Sequence, residues 1–336
     1  MTWRPADAQD DPASAAATEQ GGPAAEQAPE RARAGPEEGQ GAESEQGRTE
    51  QTEQQRVAVA DARSPAVRRG EYLFHAGGCT SCHTDRENGG ARLAGGRRLV
   101  TEFGAFYAPN ITPDPETGIG GWSEHTFIRA MKQGLAPDGS PYYPVFPYRW
   151  YARIYDFDLR DLKAYLDTVE PVRNRVPPHD LPYPYDRRAL VHGWRLLDFE
   201  PGPAPASPAR PRLWNRGSYL VNALAHCGAC HTPRTALGTY RDDMFLGGSD
   251  RVPGDLPAPN ITPDEETGIG GWSEEEIASF LETGLRPSGM PVAGSMAEMI
   301  EDTTSRLTAE DRRAIAAYLK SVSPVRHRPT GGAEGG

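Results

Sequence analysis

Cys79-Thr80-Ser81-Cys82-His83 and Cys227-Gly228-Ala229-Cys230-His231 repeat one pattern, and together they use all four cysteines of the chain. Cys-x-x-Cys-His is the covalent attachment signature of c-type haem. The spacing has a chemical cause. Each sulfur forms a thioether with a vinyl-derived carbon of the porphyrin, and the adjoining histidine reaches the iron as proximal ligand. A zinc site also uses Cys-x-x-Cys pairs and histidines. Yet neither zinc, nor a disulfide, nor a thioredoxin-like redox pair requires a histidine directly after both pairs. Two covalently bound haem c groups are therefore expected.

A tandem repeat surrounds the motifs. Ala108 to Glu124 reads APNITPDPETGIGGWSE and Ala258 to Glu274 reads APNITPDEETGIGGWSE, so that only Pro115 and Glu265 differ. The offset of this block is 150, against 148 between Cys79 and Cys227, so a small length change separates motif from block. Upstream, Arg69-Gly70-Glu71-Tyr72-Leu73 echoes Arg216-Gly217-Ser218-Tyr219-Leu220. Downstream, Ala164-Tyr165-Leu166 with Pro171-Val172 echoes Ala317-Tyr318-Leu319 with Pro324-Val325. A period this long denotes two duplicated domains, not a solenoid of short units.

Composition divides the rest. Residues 1–64 contain one aromatic, Trp3, and carry 13 acidic against 6 basic residues, a net of −7 out of the chain's −11. Such a segment cannot bury enough apolar surface to offset its chain entropy and is expected to be disordered. Residues 177–211 run from Pro177-Pro178 through Pro201-Gly202-Pro203-Ala204-Pro205 to Pro211, the composition of an extended inter-domain strap. Tyr183, Tyr185, Trp194, Leu196, Leu197 and Phe199 suggest that its first half packs on a domain surface. The expected organisation is a haem domain at 65–176, a linker at 177–211, a second haem domain at 212–326 and a disordered tail at 327–336. Each domain has about 110 residues, close to the usual size.

The fold class read from this pattern is all-α. Val67 to Gly77 and Asn215 to Ala225 are short amphipathic segments leading into the haem motifs. Ser123 to Gly134 and Ser273 to Gly284 begin with a serine before acids and stop at glycine. Asp158 to Val169 and Thr308 to Val322 close the domains, the latter with a threonine N-cap and acids in its first turn. Alternating strand-like runs are scarce. Asp114 with Glu116 and Asp264 with Glu266 sit in turn-forming segments and read as caps rather than catalysts.

The order Cys-x-x-Cys-His, Asn-Ile-Thr-Pro-Asp, Gly-Ile-Gly-Gly-Trp-Ser and a final Tyr-Leu helix resembles the multihaem class I cytochromes c. These are electron-accepting subunits of periplasmic dehydrogenases, including quinoprotein alcohol and sugar dehydrogenases and some molybdenum hydroxylases. The resemblance covers most of residues 65–326. It implies two tandem cytochrome c domains, with His83 and His231 as proximal ligands and Cys79, Cys82, Cys227 and Cys230 as thioether anchors. It also implies a distal methionine in a loop before the last helix. Gly294-Ser295-Met296-Ala297-Glu298 matches that place, so Met296 is the expected ligand of haem two, with Met290 and Met299 as alternatives. Trp122 and Trp272 fall where such cytochromes use an indole N–H to hold a haem propionate, although a buried core tryptophan would also seek a partner.

The first repeat departs from the pattern. The offset of 150 carries Met296 to Phe146, and no methionine lies between Met131 and Met244. Phenylalanine cannot coordinate iron. Three outcomes are open: a five-coordinate iron behind an apolar lid; a stand-in such as Tyr142, Tyr143 or Tyr148; or Met131, His75 or His125 reaching in from another element. Met131 has helical spacing with Phe127, Ile128 and Leu135, which suits core packing, and the two histidines fit exposed structural positions. Methionine ligation raises a haem potential relative to harder ligands, so two unlike haems would differ in potential.

Covalent attachment needs an export-side assembly system, so the expected location is the periplasm or the outer face of the cytoplasmic membrane. Met1 to Ala66 nonetheless shows no basic n-region followed by an apolar run. That leaves a start that lies elsewhere, an anchor carried by another chain, or a cytoplasmic protein that never receives haem. With a net charge of −11 and no basic stripe, a nucleic-acid role is disfavoured. The expected function is electron transfer from a dehydrogenase subunit toward an oxidase, the quinone pool or another cytochrome, with any membrane association made through a partner. The alternative is a haem enzyme acting on peroxide or a small sulfur compound at haem one; a structural zinc protein is a third reading.

Overall fold

Ser64 starts the first helix by accepting a hydrogen bond from the Val67 amide at 3.2 Å, and Pro65 fills the first turn, where a missing N–H costs little. The computed structural model describes residues 64–252 and 257–330, all within one compact unit, Glu53–Gly336. Apart from Ser64, the expected disordered segment 1–64 lies outside the described residues, as does 331–336.

In the first repeat the elements are α1 (Pro65–Ala76), α2 (Cys79–His83), β1 (Arg98–Thr101), β2 (Gly104–Tyr107), α3 (Glu124–Gln133), α4 (Tyr148–Tyr151) and α5 (Asp156–Leu166). A linking helix α6 (Ala189–Asp198) follows. The second repeat contains α7 (Arg212–Tyr219), α8 (Gly228–His231), α9 (Glu274–Thr283), α10 (Ser295–Asp302) and α11 (Ala309–Leu319). Each repeat is framed by its first helix crossing its last. At the crossings Gly70 and Gly217 face the backbone: a Cβ on either would lie 1.9 Å from the carbonyl oxygen of Asp161 or Ala314. Only glycine permits that approach.

The caps follow the sequence. Ser123 accepts from Thr126 N at 3.1 Å, Ser273 forms a capping box with Glu276, and Thr308 accepts from Asp311 N at 3.1 Å. Gly134 and Gly284 end α3 and α9 at φ 59° and 72°. The echoed segments before the motifs are offset by 147, one less than the motifs themselves. The second repeat absorbs this extra residue as a π-helical turn, Leu220–Leu224, between α7 and the attachment motif.

The all-α expectation needs correction. The fold is mostly helical, but β1 and β2 form an antiparallel hairpin pairing Arg98 with Tyr107 and Thr101 with Gly104. Its strands have four residues each and bury only Ala105 and Phe106, so no long alternating run marks them. The strap is corrected too. It carries α6, and Asp180 pairs with Ala105 of the hairpin. Arg149 and Asp198 form an ion pair at 2.7 Å with side chains 7% and 1% exposed, and Asp198 also accepts from Tyr240 N at 2.7 Å. Trp194 and Phe199 pack, but Leu196 and Leu197 face solvent. Residues 327–330, assigned to the disordered tail, are instead held: His327 N donates to Thr267 Oγ1 at 3.2 Å, and Pro329 is buried.

The two repeats meet about a pseudo-two-fold relation. Tyr72 Oη donates to Asp311 Oδ2 at 2.5 Å and accepts from Thr308 N at 3.1 Å. Reciprocally, Tyr219 Oη donates to Asp158 Oδ2 at 2.5 Å and accepts from Tyr155 N at 3.1 Å. Tyr72 and Tyr219 are equivalent in the repeat, as are Asp158 and Asp311. Apolar side chains from both repeats merge into one core, in which Leu73, Phe74, Leu159, Leu220, Leu224 and Ile315 are almost fully buried.

Candidate haem sites

The first attachment motif forms the short helix α2, and the second forms α8 with Cys227 as its N-cap. Burial pushes the thiols of Cys79 and Cys227 up to about 12, the opposite of what a reactive thiolate needs. None of the four cysteines is paired in a disulfide. Among the described residues no cluster of three or more His, Cys, Asp or Glu is placed to hold a metal ion.

The histidines are oriented identically. His83 Nδ1 lies 2.8 Å from Pro109 O, and His231 Nδ1 lies 2.8 Å from Pro259 O. A carbonyl can only accept, so Nδ1 carries the proton and Nε2 keeps its lone pair for a metal. Burial lowers both imidazole pKa values, partly opposed by those carbonyls, which favours the neutral, ligating ring. This donor set fits a covalently attached haem.

Pro109 and Pro259 open the repeated block, whose structural purpose then becomes visible. Asn110 Oδ1 accepts from the amide and hydroxyl of Thr112 at 2.9 and 2.8 Å, while its Nδ2 donates to Thr117 Oγ1 at 3.0 Å and Val172 O at 2.7 Å. Asn260 makes the same set with Thr262, Thr267 and Val325 at 2.9, 2.7, 2.9 and 2.6 Å. Asp114 and Asp264 cap the turns of Thr117 and Thr267. Together these bonds fix the carbonyl that orients each histidine. Sequence reasoning used the block as a marker and read its acids as caps; it missed this supporting role, although identity of the block in both copies was the signal.

At the positions of Met296 and Phe146 the repeats differ. Met296 lies on α10, partly buried against the core. Met290 is 50% exposed, and the Met299 sulfur lies 3.4 Å from where a Gly78 Cβ would stand, on the first repeat. Phe146 packs within an aromatic group, 5.6 Å from Tyr142 and 5.7 Å from Tyr151 between ring centres. Pro144 and Pro147 flank it, and α4 begins only after them, whereas Gly294 leads directly into α10. Of the other candidates, Met131 is buried in the core, His125 is exposed, and His75 is partly buried near Arg306. Tyr143 donates to Tyr185 O at 3.0 Å. Burial pushes the Tyr142 and Tyr148 phenols up to about 12, so both are neutral. Trp122 and Trp272 are partly buried, the latter edge-on to Phe280 at 5.5 Å.

The cytochrome c family model matches residues 67–170 and 215–323, one match around each motif. The chain belongs to the cytochrome c family. It is 45% identical over 260 residues to a diheme cytochrome c-type protein of Cereibacter sphaeroides, covering 76% of this chain and 86% of that protein. It is 40% identical over 265 residues to the fructose dehydrogenase cytochrome subunit of Gluconobacter japonicus, covering 78% and 54%. With a nicotinate dehydrogenase subunit of Pseudomonas putida it shares 40% over 257 residues, covering 76% and 21%. The chain thus spans about half of the second relative and a fifth of the third. It carries two covalently attached haem c groups and is an electron-transfer protein.

In this cytochrome the two attachment motifs face each other across the repeat interface. Tyr151 donates to Gly77 O at 2.9 Å beside the first motif, and its ring meets His226, next to Cys227, at 5.1 Å. Trp150 covers Gly228 within the second motif, where a Cβ would stand 2.2 Å from the indole. Arg149 pairs with Asp242 at 2.6 Å on the same face. Reciprocally, α10 of the second repeat lies against α2: Ser81 Oγ donates to Asp302 Oδ2 at 2.9 Å, and Arg97 pairs with Glu298. The segment that follows Phe146 in the first repeat and Met296 in the second therefore packs on the attachment motif of the other repeat.

Proposed function

We propose that this cytochrome accepts electrons from a dehydrogenase subunit and passes them toward an oxidase, the quinone pool or another cytochrome, at the periplasmic face of the membrane. The observation that carries this reading is a pair of histidine-presenting attachment motifs facing each other across an interface, in a chain whose relatives are named as cytochromes and dehydrogenase subunits. Bound haem supplies a one-electron Fe(III)/Fe(II) couple. The chain supplies the rest. Cys79 and Cys82 anchor haem one and Cys227 and Cys230 haem two; His83 and His231 are the proximal ligands, and Met296 is the distal ligand of haem two. Trp122 and Trp272 contribute indole N–H groups beside the porphyrins. The haem domains are taken as 65–176 and 212–326. Among the described residues no helix is long and apolar enough to cross a membrane, and membrane association is assigned to a partner.

Phe146 acts as an apolar lid over haem one, held by its tyrosine neighbours, so the two haems are unlike. The names of the relatives favour electron transfer, and the small-substrate enzyme gains no support from them. Protein matured with the cytochrome c assembly machinery is expected to hold two haems per chain, of which one binds carbon monoxide readily when reduced. Phe146→Met should suppress that binding. Two equal methionine-ligation signals in the unmodified protein would overturn the assignment of haem one, and absence of covalent haem would overturn the whole reading.

A further inference from the structure

Helix α10 is short, eight residues, and such a helix is marginal by itself. Neither end has a side-chain cap from within. It is entered through Gly294 at φ 64°, ψ −152°, a conformation almost confined to glycine, and left through Thr303 at φ −124°, ψ −77°. Its anchors come from the first repeat. Asp302, with a side chain 6% exposed, accepts from Ser81 Oγ at 2.9 Å and from Arg86 Nη2 at 2.5 Å. Arg97 pairs with Glu298 while donating to the carbonyl of Ser81, which lies inside the first Cys-x-x-Cys-His. Met299 sits over Gly78, directly before Cys79. Glu298, Met299 and Asp302 thus bind one side of α10 to the first attachment segment. Met296, one turn earlier, packs against the apolar core that the two repeats share.

We propose that Asp302, together with Ser81, Arg86 and Arg97, forms a set of positioning residues for Met296: the attachment segment of haem one holds the helix that presents the distal ligand of haem two. The inference rests on the reading of Met296 as that ligand. It follows that haem two keeps its sixth ligand because the first repeat is in place, and a change at the first motif is felt at the second iron.

The test uses the full-length, haem-loaded protein. Asp302→Ala removes the acceptor of two bonds at once. It should leave two covalent haems per chain, yet weaken the near-infrared band of methionine–iron ligation and lower the potential of the methionine-ligated haem. Carbon monoxide affinity at reduced haem two should rise at least ~10-fold, the factor that a loss of about 1.4 kcal/mol in ligand positioning represents. Arg97→Ala should act in the same direction, and Arg97→Lys, which keeps a cation beside Glu298, should restore much of the band. If Met296→Ala leaves the band intact, the ligand assignment itself fails. If Met296→Ala abolishes the band while Asp302→Ala and Arg97→Ala leave band, potential and carbon monoxide affinity unchanged, the positioning proposal is overturned. Should Asp302→Ala not fold, Ser81→Ala, which deletes one hydroxyl, carries the same test with a smaller shift, and no shift there overturns the proposal.

Discussion

Removing the phenolic hydroxyl from Tyr219 should cost more stability than removing it from Tyr72, although the two are equivalent in the repeat. Each hydroxyl donates to a carboxylate of the other repeat at 2.5 Å and accepts a backbone amide at 3.1 Å. The difference lies in what each carboxylate retains. Asp311 keeps two bonds from Arg216, at 2.8 and 2.6 Å. Burial alone would raise its pKa, but the bonds from Arg216 and Tyr72 outweigh it and hold it below the ordinary carboxylate value. At Asp158 burial wins: its pKa is raised despite the Tyr219 bond and the through-space attraction of Arg216. A hydrogen bond to a charged group contributes about 1.5–3 kcal/mol. Tyr219→Phe should therefore cost about 2 kcal/mol at pH 7, because a partly buried carboxylate loses its hydroxyl partner, and Tyr72→Phe about 1 kcal/mol. The Tyr219→Phe cost should shrink as pH falls, since protonating Asp158 removes the charge that the hydroxyl stabilised. Denaturant unfolding of the haem-loaded protein, followed by Soret absorbance and far-ultraviolet circular dichroism, measures both, provided the two probes coincide and the slope is unchanged. Equal costs, or a larger one for Tyr72→Phe, would refute the reasoning.

Two further outcomes follow from the same interface and its scaffolding. Gly228→Thr, which copies Thr80 of the first motif, sets a Cβ 2.2 Å from the Trp150 indole; overpacking against a rigid ring should cost about 3 kcal/mol by denaturant unfolding, with two haems still attached. A wild-type midpoint would show that the repeats do not meet at this glycine. Asp114 and Asp264 have pKa values below the ordinary 3.8 because of the Thr117 and Thr267 bonds. Their contribution to stability is complete above the ordinary carboxylate range and is lost as pH falls through the depressed folded values. The double variant Asp114→Ala, Asp264→Ala should accordingly show a flatter acid limb in melting temperature between about pH 4 and pH 2; an unchanged limb would contradict the capping role.

Local chemistry makes part of this protein legible from its sequence. Ser123 with Gly134 and Ser273 with Gly284 delimit α3 and α9 because a serine cap and a left-handed glycine act within one turn of the chain. The haem motifs are equally plain, since their chemistry is written in five consecutive residues. The hairpin is not, because β1 and β2 are four residues long and bury little, so their alternation never rises above that of a loop. The helix within the strap is hidden by the prolines on either side of it; its anchor, Asp198, is an acid whose partner Arg149 lies 49 positions away. The interface leaves no trace in spacing at all. Tyr72 and Asp311 are 239 residues apart, and nothing in the neighbourhood of either residue names the other.

The duplication itself accounts for the arrangement of the sites. When two copies of one domain pair about a pseudo-two-fold, whatever surface one copy presents to the other is presented back. Here that surface joins the attachment motif to the segment that follows Phe146 or Met296. A substitution at Phe146 or Met296 thus bears on the face that its own repeat presents to the other repeat's attachment motif. In the second repeat Met296 comes with a helix whose acids, Glu298 and Asp302, bond Arg97, Arg86 and Ser81. In the first, Phe146 comes with Pro147 and the bulky Trp150 and Tyr151, which press on Gly228 and His226. Phe146 and Met296 are each therefore coupled to the packing of the opposite motif. Exchanging Phe146 and Met296 alone would leave the contacts of α4 and α10 unexchanged, so the inequivalence of the two sites extends across the interface.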